Sequence, residues 1–103
     1  MAKLKLVADP TFKGVVSIPV AGAEPVNVEF TFKHRTKPAL DEFVKSREGK
    51  TDTESVLDTV IGWELSDEFT PENVGLLCDN YAGAGLAIFR AYIDQLIAGK
   101  AKN

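Results

Sequence analysis

The residue types that carry covalent or metal chemistry are scarce in this sequence. His34 is its single histidine and Cys78 its single cysteine, about forty residues apart and in different elements. A Cys–His nucleophile pair needs tertiary proximity and a flanking activator, and the sequence supplies neither. A zinc site needs about four N, S or O ligands, so one His with one Cys falls short. Cys78 reads as a core thiol on a helix stripe. His34, between Lys33 and Arg35, reads as a strand-end residue. Glu64, Asp67 and Glu68 cluster without the Asp-rich spacing and mid-loop Gly of a calcium loop, and read as a solvated acidic turn. Gly83 and Gly85 make no phosphate loop, because no strand precedes them and no Lys-Ser/Thr follows. Lys33-His34-Arg35-Thr36-Lys37 could touch phosphates, but no aromatic ladder or nucleic-acid motif accompanies it. The expectation is a binding or assembly role, with no enzyme activity, cofactor, metal or nucleic-acid partner.

Bulk properties agree with that expectation. The chain has 103 residues, 45% of them apolar and 26% charged, ordinary values for a soluble domain. Its length predicts one domain over 1–103, with roughly 5,700 Å² exposed when folded against roughly 16,000 Å² unfolded. A lone cysteine favours a reducing compartment. No apolar run approaches the roughly 20 residues of a membrane span, and Met1–Val7 has no apolar stretch behind it that would make it a signal peptide. Net charge is −3, divided unevenly: residues 1–50 carry +3 and residues 51–103 carry −6. Two such halves either neutralise each other within one fold or associate head to tail between copies.

The elements that must position these residues are legible from periodicity. Phe12, Gly14, Val16, Ile18 and Val20 share one face of an extended run. Val26, Val28, Phe30 and Phe32 share one face of a second, across the turn-like stretch Ala21–Pro25. The two runs predict a β-hairpin with one greasy face. Leu4 and Leu6, between Lys3 and Lys5, are candidates for a short third strand. Helices follow. Thr36 can cap one whose apolar face is Leu40, Phe43 and Val44. Thr51 and Glu54 have capping-box spacing ahead of Val56, Leu57, Val60 and Ile61, with Gly62 as the stop. Thr70-Pro71 opens a third helix with Val74, Leu77, Cys78 and Tyr81 on one face. Leu86, Phe89, Ile93, Leu96 and Ile97 make the stripe of a fourth, which ends at Gly99. The predicted class is α+β: a β part over about 3–34, a bundle of about four helices over 36–98, and a frayed tail at 99–103.

One segment stands apart from this core pattern. Gly62-Trp63-Glu64-Leu65-Ser66-Asp67-Glu68-Phe69-Thr70 puts three large apolar residues into a loop between helices. Such side chains either fold back as a lid on the helices or form a contact patch.

At this loop a family pattern emerges. Phe30-x-Phe32-x-His34-Arg35-Thr36, Leu40-x-x-Phe43, Gly62-Trp63-Glu64-Leu65-x-Asp67-x-Phe69, Leu77-x-x-Asn80-Tyr81 and Ile88-x-x-Ala91-Tyr92 follow one another at a distinctive spacing. With these motifs the chain, from about Phe12 to Leu96, resembles the tail assembly chaperone family of long-tailed, siphovirus-type bacteriophages and prophages. Ala82 stands where that pattern usually has Pro after the Tyr. The resemblance implies a non-catalytic protein of the bacterial host cytoplasm that coats the tape measure protein. Tube subunits displace it as they polymerise, and it is absent from the mature virion. A longer form made by programmed frameshift commonly recruits the tail tube protein. Gly99-Lys100 lies where such a site would fall. Self-association along the client is expected, with Trp63, Leu65, Phe69 and Tyr81 at or beside a contact surface and Arg35 and Lys37 on the basic side of a self-contact. The alternatives are a virion structural tail protein, such as a terminator or connector, and a small nucleic-acid-binding regulator.

Overall fold

Strict alternation builds the first two elements of the computed structural model, which describes residues 3–99. Thr11–Ile18 (β1) and Val26–Lys33 (β2) pair antiparallel, with Thr11 opposite Lys33 and Ile18 opposite Val26. Val16, Ile18, Val28, Phe30 and Phe32 are buried on the face that the helices cover. This is the expected hairpin with its expected greasy side.

A third strand completes the sheet in the order β1-β2-β3, but not where the sequence suggested. Leu4 and Leu6 belong to no strand and stand in solvent. The third strand is Val60–Trp63 (β3), antiparallel to β2 with Phe30 opposite Trp63. Periodicity had assigned Val60 and Ile61 to a helix. Their β-branched side chains lose rotamer freedom in a helix and fit a pleated, half-buried surface better. Burial decides it: Val60 sits opposite Phe32 and is fully enclosed. Ile61 is the extra residue of a bulge between Thr31 and Phe32, and stays half exposed.

The helices start where the caps predict. Thr36 Oγ1 accepts the Ala39 N–H ahead of Lys37–Ser46 (α1). Thr51 and Glu54 form a complete capping box at Asp52–Thr59 (α2). Thr70 Oγ1 accepts the Asn73 N–H at Pro71–Asn80 (α3). Ala84–Ala98 (α4) begins at Gly83 without a side-chain cap and closes at Gly99, whose φ of 64° is the left-handed conformation glycine favours. Beyond Gly99, the tail expected to fray lies outside the described residues.

Two apolar faces are rotated from their expected positions. Val44 is exposed, so α1 buries Leu40 and Phe43 alone. On α4 the fully buried line is Ala84, Gly85, Ile88 and Tyr92; of the expected stripe, Phe89, Ile93 and Leu96 pack partly buried against the core, whereas Leu86 and Ile97 face outward. The rotation follows from close packing at Gly85. A Cβ there would come within 2.6 Å of Asp52 Cγ, so a side chain's absence lets α4 approach the start of α2. α4 lies across β1 and against α2, which also meets α3 and the sheet. α1 is fixed by its aromatic: Phe43 packs on Phe89 and edge-on to Tyr92. No described helix is long and apolar enough to cross a membrane. The folded chain exposes 7082 Å², well above the roughly 5,700 Å² that its mass implies.

Candidate functional site

Trp63 ends β3 and organises everything after it. Its ring lies edge-on to Phe30, centroids 6.3 Å apart, and to Phe69 at 5.1 Å. Its Nε1 donates to the Asp67 carbonyl at 2.8 Å. Glu64 extends the ladder one residue further: its N–H donates to Glu29 O, and its carboxylate accepts the Glu29 N–H at 2.9 Å. Asn73 Nδ2 donates to Glu68 O at 2.7 Å and ties the loop to α3. The acidic turn is solvated as expected, with Glu64, Asp67 and Glu68 all exposed. It is also closed by hydrogen bonds, and Glu64 takes part in them.

The loop forms one wall of an apolar groove of about 460 Å³. Val20 and Val26 come from the turn end of the hairpin, Leu76 from α3, Tyr81 from the residue that caps its C-terminus, Trp63 from the end of β3 and Leu65 from the loop. Three of the four apolar residues singled out in the sequence thus share one concavity. The fourth, Phe69, props Trp63 from the side. Trp63 packs on Phe30 and Phe69, as a lid would, and also lines an open groove. Sequence reasoning missed Leu76 and Val26. Leu76 lies off the Val74–Leu77 core stripe and is 57% exposed. A leucine at a solvent position of a capped helix was the available signal.

The basic pair is divided. Lys37 is a solvent-exposed side chain with Asp41 3.9 Å away. Arg35 points inward, its guanidinium 4.4 Å above the Phe43 ring. It also donates to Tyr92 Oη at 3.0 Å, and that hydroxyl donates to the Lys33 carbonyl at 2.8 Å. Tyr92 is fully buried. Burial pushes its phenol pKa up, and the neighbouring Arg35 opposes part of that shift. Arg35 and Tyr92 together fasten α4 to the end of β2, far from the groove.

The remaining reactive types do not meet. Cys78 is half-buried on α3; burial raises its thiol pKa, Thr53 pulls the other way, and Asp52 and Asp79 add to the rise. Such a thiol is a poor nucleophile at neutral pH. His34 lies at the opposite end of the sheet, beside Lys37 and Leu96. Among the described residues no cluster of three His, Cys, Asp or Glu could hold a metal ion. What the geometry offers is an open, mostly apolar groove.

No curated protein and no solved structure matches this chain significantly. A family model does, over its full length. The Trp63 loop and the Asn80-Tyr81 junction, which carried the resemblance in sequence, meet in space as one groove, and the model for phage tail assembly chaperones matches residues 1–103: the chain belongs to that family.

Proposed function

We propose that this chaperone binds and coats the tape measure protein before the tail tube closes around it. It then helps recruit tube subunits and leaves as the tube polymerises. The observation that supports this most is the groove itself, apolar, open and walled by Trp63, Leu65, Leu76 and Tyr81. A long helical client presents apolar side chains at i, i+3, i+4 and i+7, and a groove of this kind takes one such patch at a time. Each contact is weak, which suits a coat that must come off; many copies along one client supply the avidity. The work asked of the groove is burial and release of apolar surface. Contact with the tube protein belongs mainly to a frameshift-extended form.

Co-expression with the tape measure protein tests the reading. Wild-type chain should hold the client soluble with many copies per client. Leu76→Glu, at an exposed position, should keep the fold and cut recovered client at least about tenfold, as loss of one buried leucine contact implies. A client left insoluble with wild-type chain, or held equally well by Leu76→Glu, would sink the groove as client site. Recovery of the chain in purified virions would favour a structural tail subunit instead.

A further inference from the structure

The segment ahead of β1 is apolar, basic and uncovered. Leu4, Leu6 and Val7 are 86%, 99% and 82% exposed, more than any other large apolar side chain among the described residues. Lys3 and Lys5 alternate with the leucines, and Lys5 pairs with Asp9. Adjacent exposed aliphatics of this kind mark a contact surface. Its own neighbourhood gives it no cover. The Pro10 carbonyl accepts the His34 N–H at 2.9 Å and pins the segment to the Thr11 end of the sheet. There a cleft of about 790 Å³ separates Leu6 and Val7 from His34, Arg35, Lys37 and Ile97, with Asp41 the one acid among the described residues that line it. Among the described residues, segment and cleft carry the same sign of charge, which gives Lys3 and Lys5 no pull inward.

The groove has the opposite character and lies toward the opposite end of the sheet. Val26 faces Ile18 there, seven strand steps or about 24 Å from Thr11. Leu6 is four residues ahead of Pro10 and reaches at most about 14 Å from it. A chain therefore cannot seat Leu6 between its own Val26 and Leu76. Another copy's segment has no such limit. Asp67 lines the groove, and Glu64 and Glu68 are exposed in the same loop, acids that match Lys3 and Lys5.

We propose that residues 3–10 of one copy dock in the groove of the next, with Leu4 and Leu6 against Val26 and Leu76 and the two lysines toward Asp67. The contact joins unlike surfaces, so each copy keeps a free segment at one end and a free groove at the other, and assembly is open-ended. This deepens the proposed function and rests on the groove as that chaperone's docking site: the neighbour's segment is what covers it in the absence of client.

Complementary variants test it. Leu6→Glu alters only the segment and Leu76→Glu only the groove, both at exposed positions. In sedimentation at low salt, wild-type mass should rise with concentration. Each variant alone should stay monomeric, its self-association weakened at least about tenfold. Mixed together, the variants should form a 1:1 dimer that grows no further, because one intact segment meets one intact groove. A wild type that stays monomeric, a single variant that still assembles, or a mixture without dimer overturns the proposal. The client arm separates the two readings. Leu6→Glu, with its groove intact, should still hold the tape measure protein. If no form holds it while the mixture dimerises, the client assignment falls and the head-to-tail contact stands.

Discussion

Tyr92 shows how much one residue can carry. Its ring fills the space between Phe12, Phe32 and Phe43, and its hydroxyl joins Arg35 to the Lys33 carbonyl. Tyr92→Phe keeps the ring and removes both hydrogen bonds, leaving a backbone carbonyl short of a donor. The expected cost is about 1–2 kcal/mol in chemical denaturation. The raised phenol pKa adds a pH signature. The folded state holds that proton more tightly than the unfolded chain, so this contribution is complete below about pH 10 and is lost as pH rises through the folded value. Wild-type stability should fall in that alkaline range, and Tyr92→Phe should flatten part of the fall. An unchanged profile would mean that the hydroxyl does not hold the two elements together. The same network explains why Arg35 is a poor candidate for a free surface charge, whereas Lys37 is exposed.

At the scale of elements, short helices depend on their ends. α2 has only eight residues, too few to persist on propensity alone, and it presents Val56 and Thr59 to the core. Its capping box satisfies two backbone donors at once, with Thr51 Oγ1 accepting the Glu54 N–H at 3.1 Å and Glu54 accepting the Thr51 N–H at 2.9 Å. Thr51→Ala should cost about 1 kcal/mol, read as a lower midpoint in urea with an unchanged slope. The result to set against this is no shift, which would place the anchoring of α2 in its packing alone. β3 follows directly from α2, so the loss should also loosen the Trp63 loop. That junction was the least legible part of the chain. Val56, Leu57, Val60 and Ile61 satisfy helical spacing, and only the vacancy beside β2, opposite Phe32, shows that the last two belong to a strand.

The molecule as a whole is divided between a rigid centre and a loose leading segment. β1, β2 and α4 enclose Phe30, Phe32, Ile88 and Tyr92, all at most 1% exposed. Residues 3–9 contribute nothing to that core. Hydrogen exchange should therefore show the slowest amides in β2 and α4, and near-unprotected amides over 3–9 in dilute protein. Protection of 3–9 should appear as concentration rises at low salt and fade at high salt, since the contact pairs lysines with acids across an exposed rim. Slow exchange in 3–9 at high dilution would mean that the segment is held within its own chain. The unequal charge of the two halves thus takes a location: the basic leading segment and the acidic Trp63 loop lie toward opposite ends of one sheet.

The sequence by itself determined whatever depends on neighbours along the chain. The β1–β2 hairpin follows from alternation, the starts of three helices from Thr36, Thr51 and Thr70, and the end of α4 from Gly99, because each is a local hydrogen-bonding or steric choice. It also carried the α+β class and the family motifs, including three residues of the groove. Tertiary structure decided the rest. Which face of α4 is buried depended on how closely Gly85 approaches Asp52. Whether Val60 and Ile61 are helix or strand depended on an open sheet edge supplied by residues thirty positions earlier. Arg35 turned inward because aromatic rings from α1 and α4 converge on it. Leu76 and Val26 became walls of one groove because α3 and the hairpin end are brought side by side, a proximity no periodicity encodes.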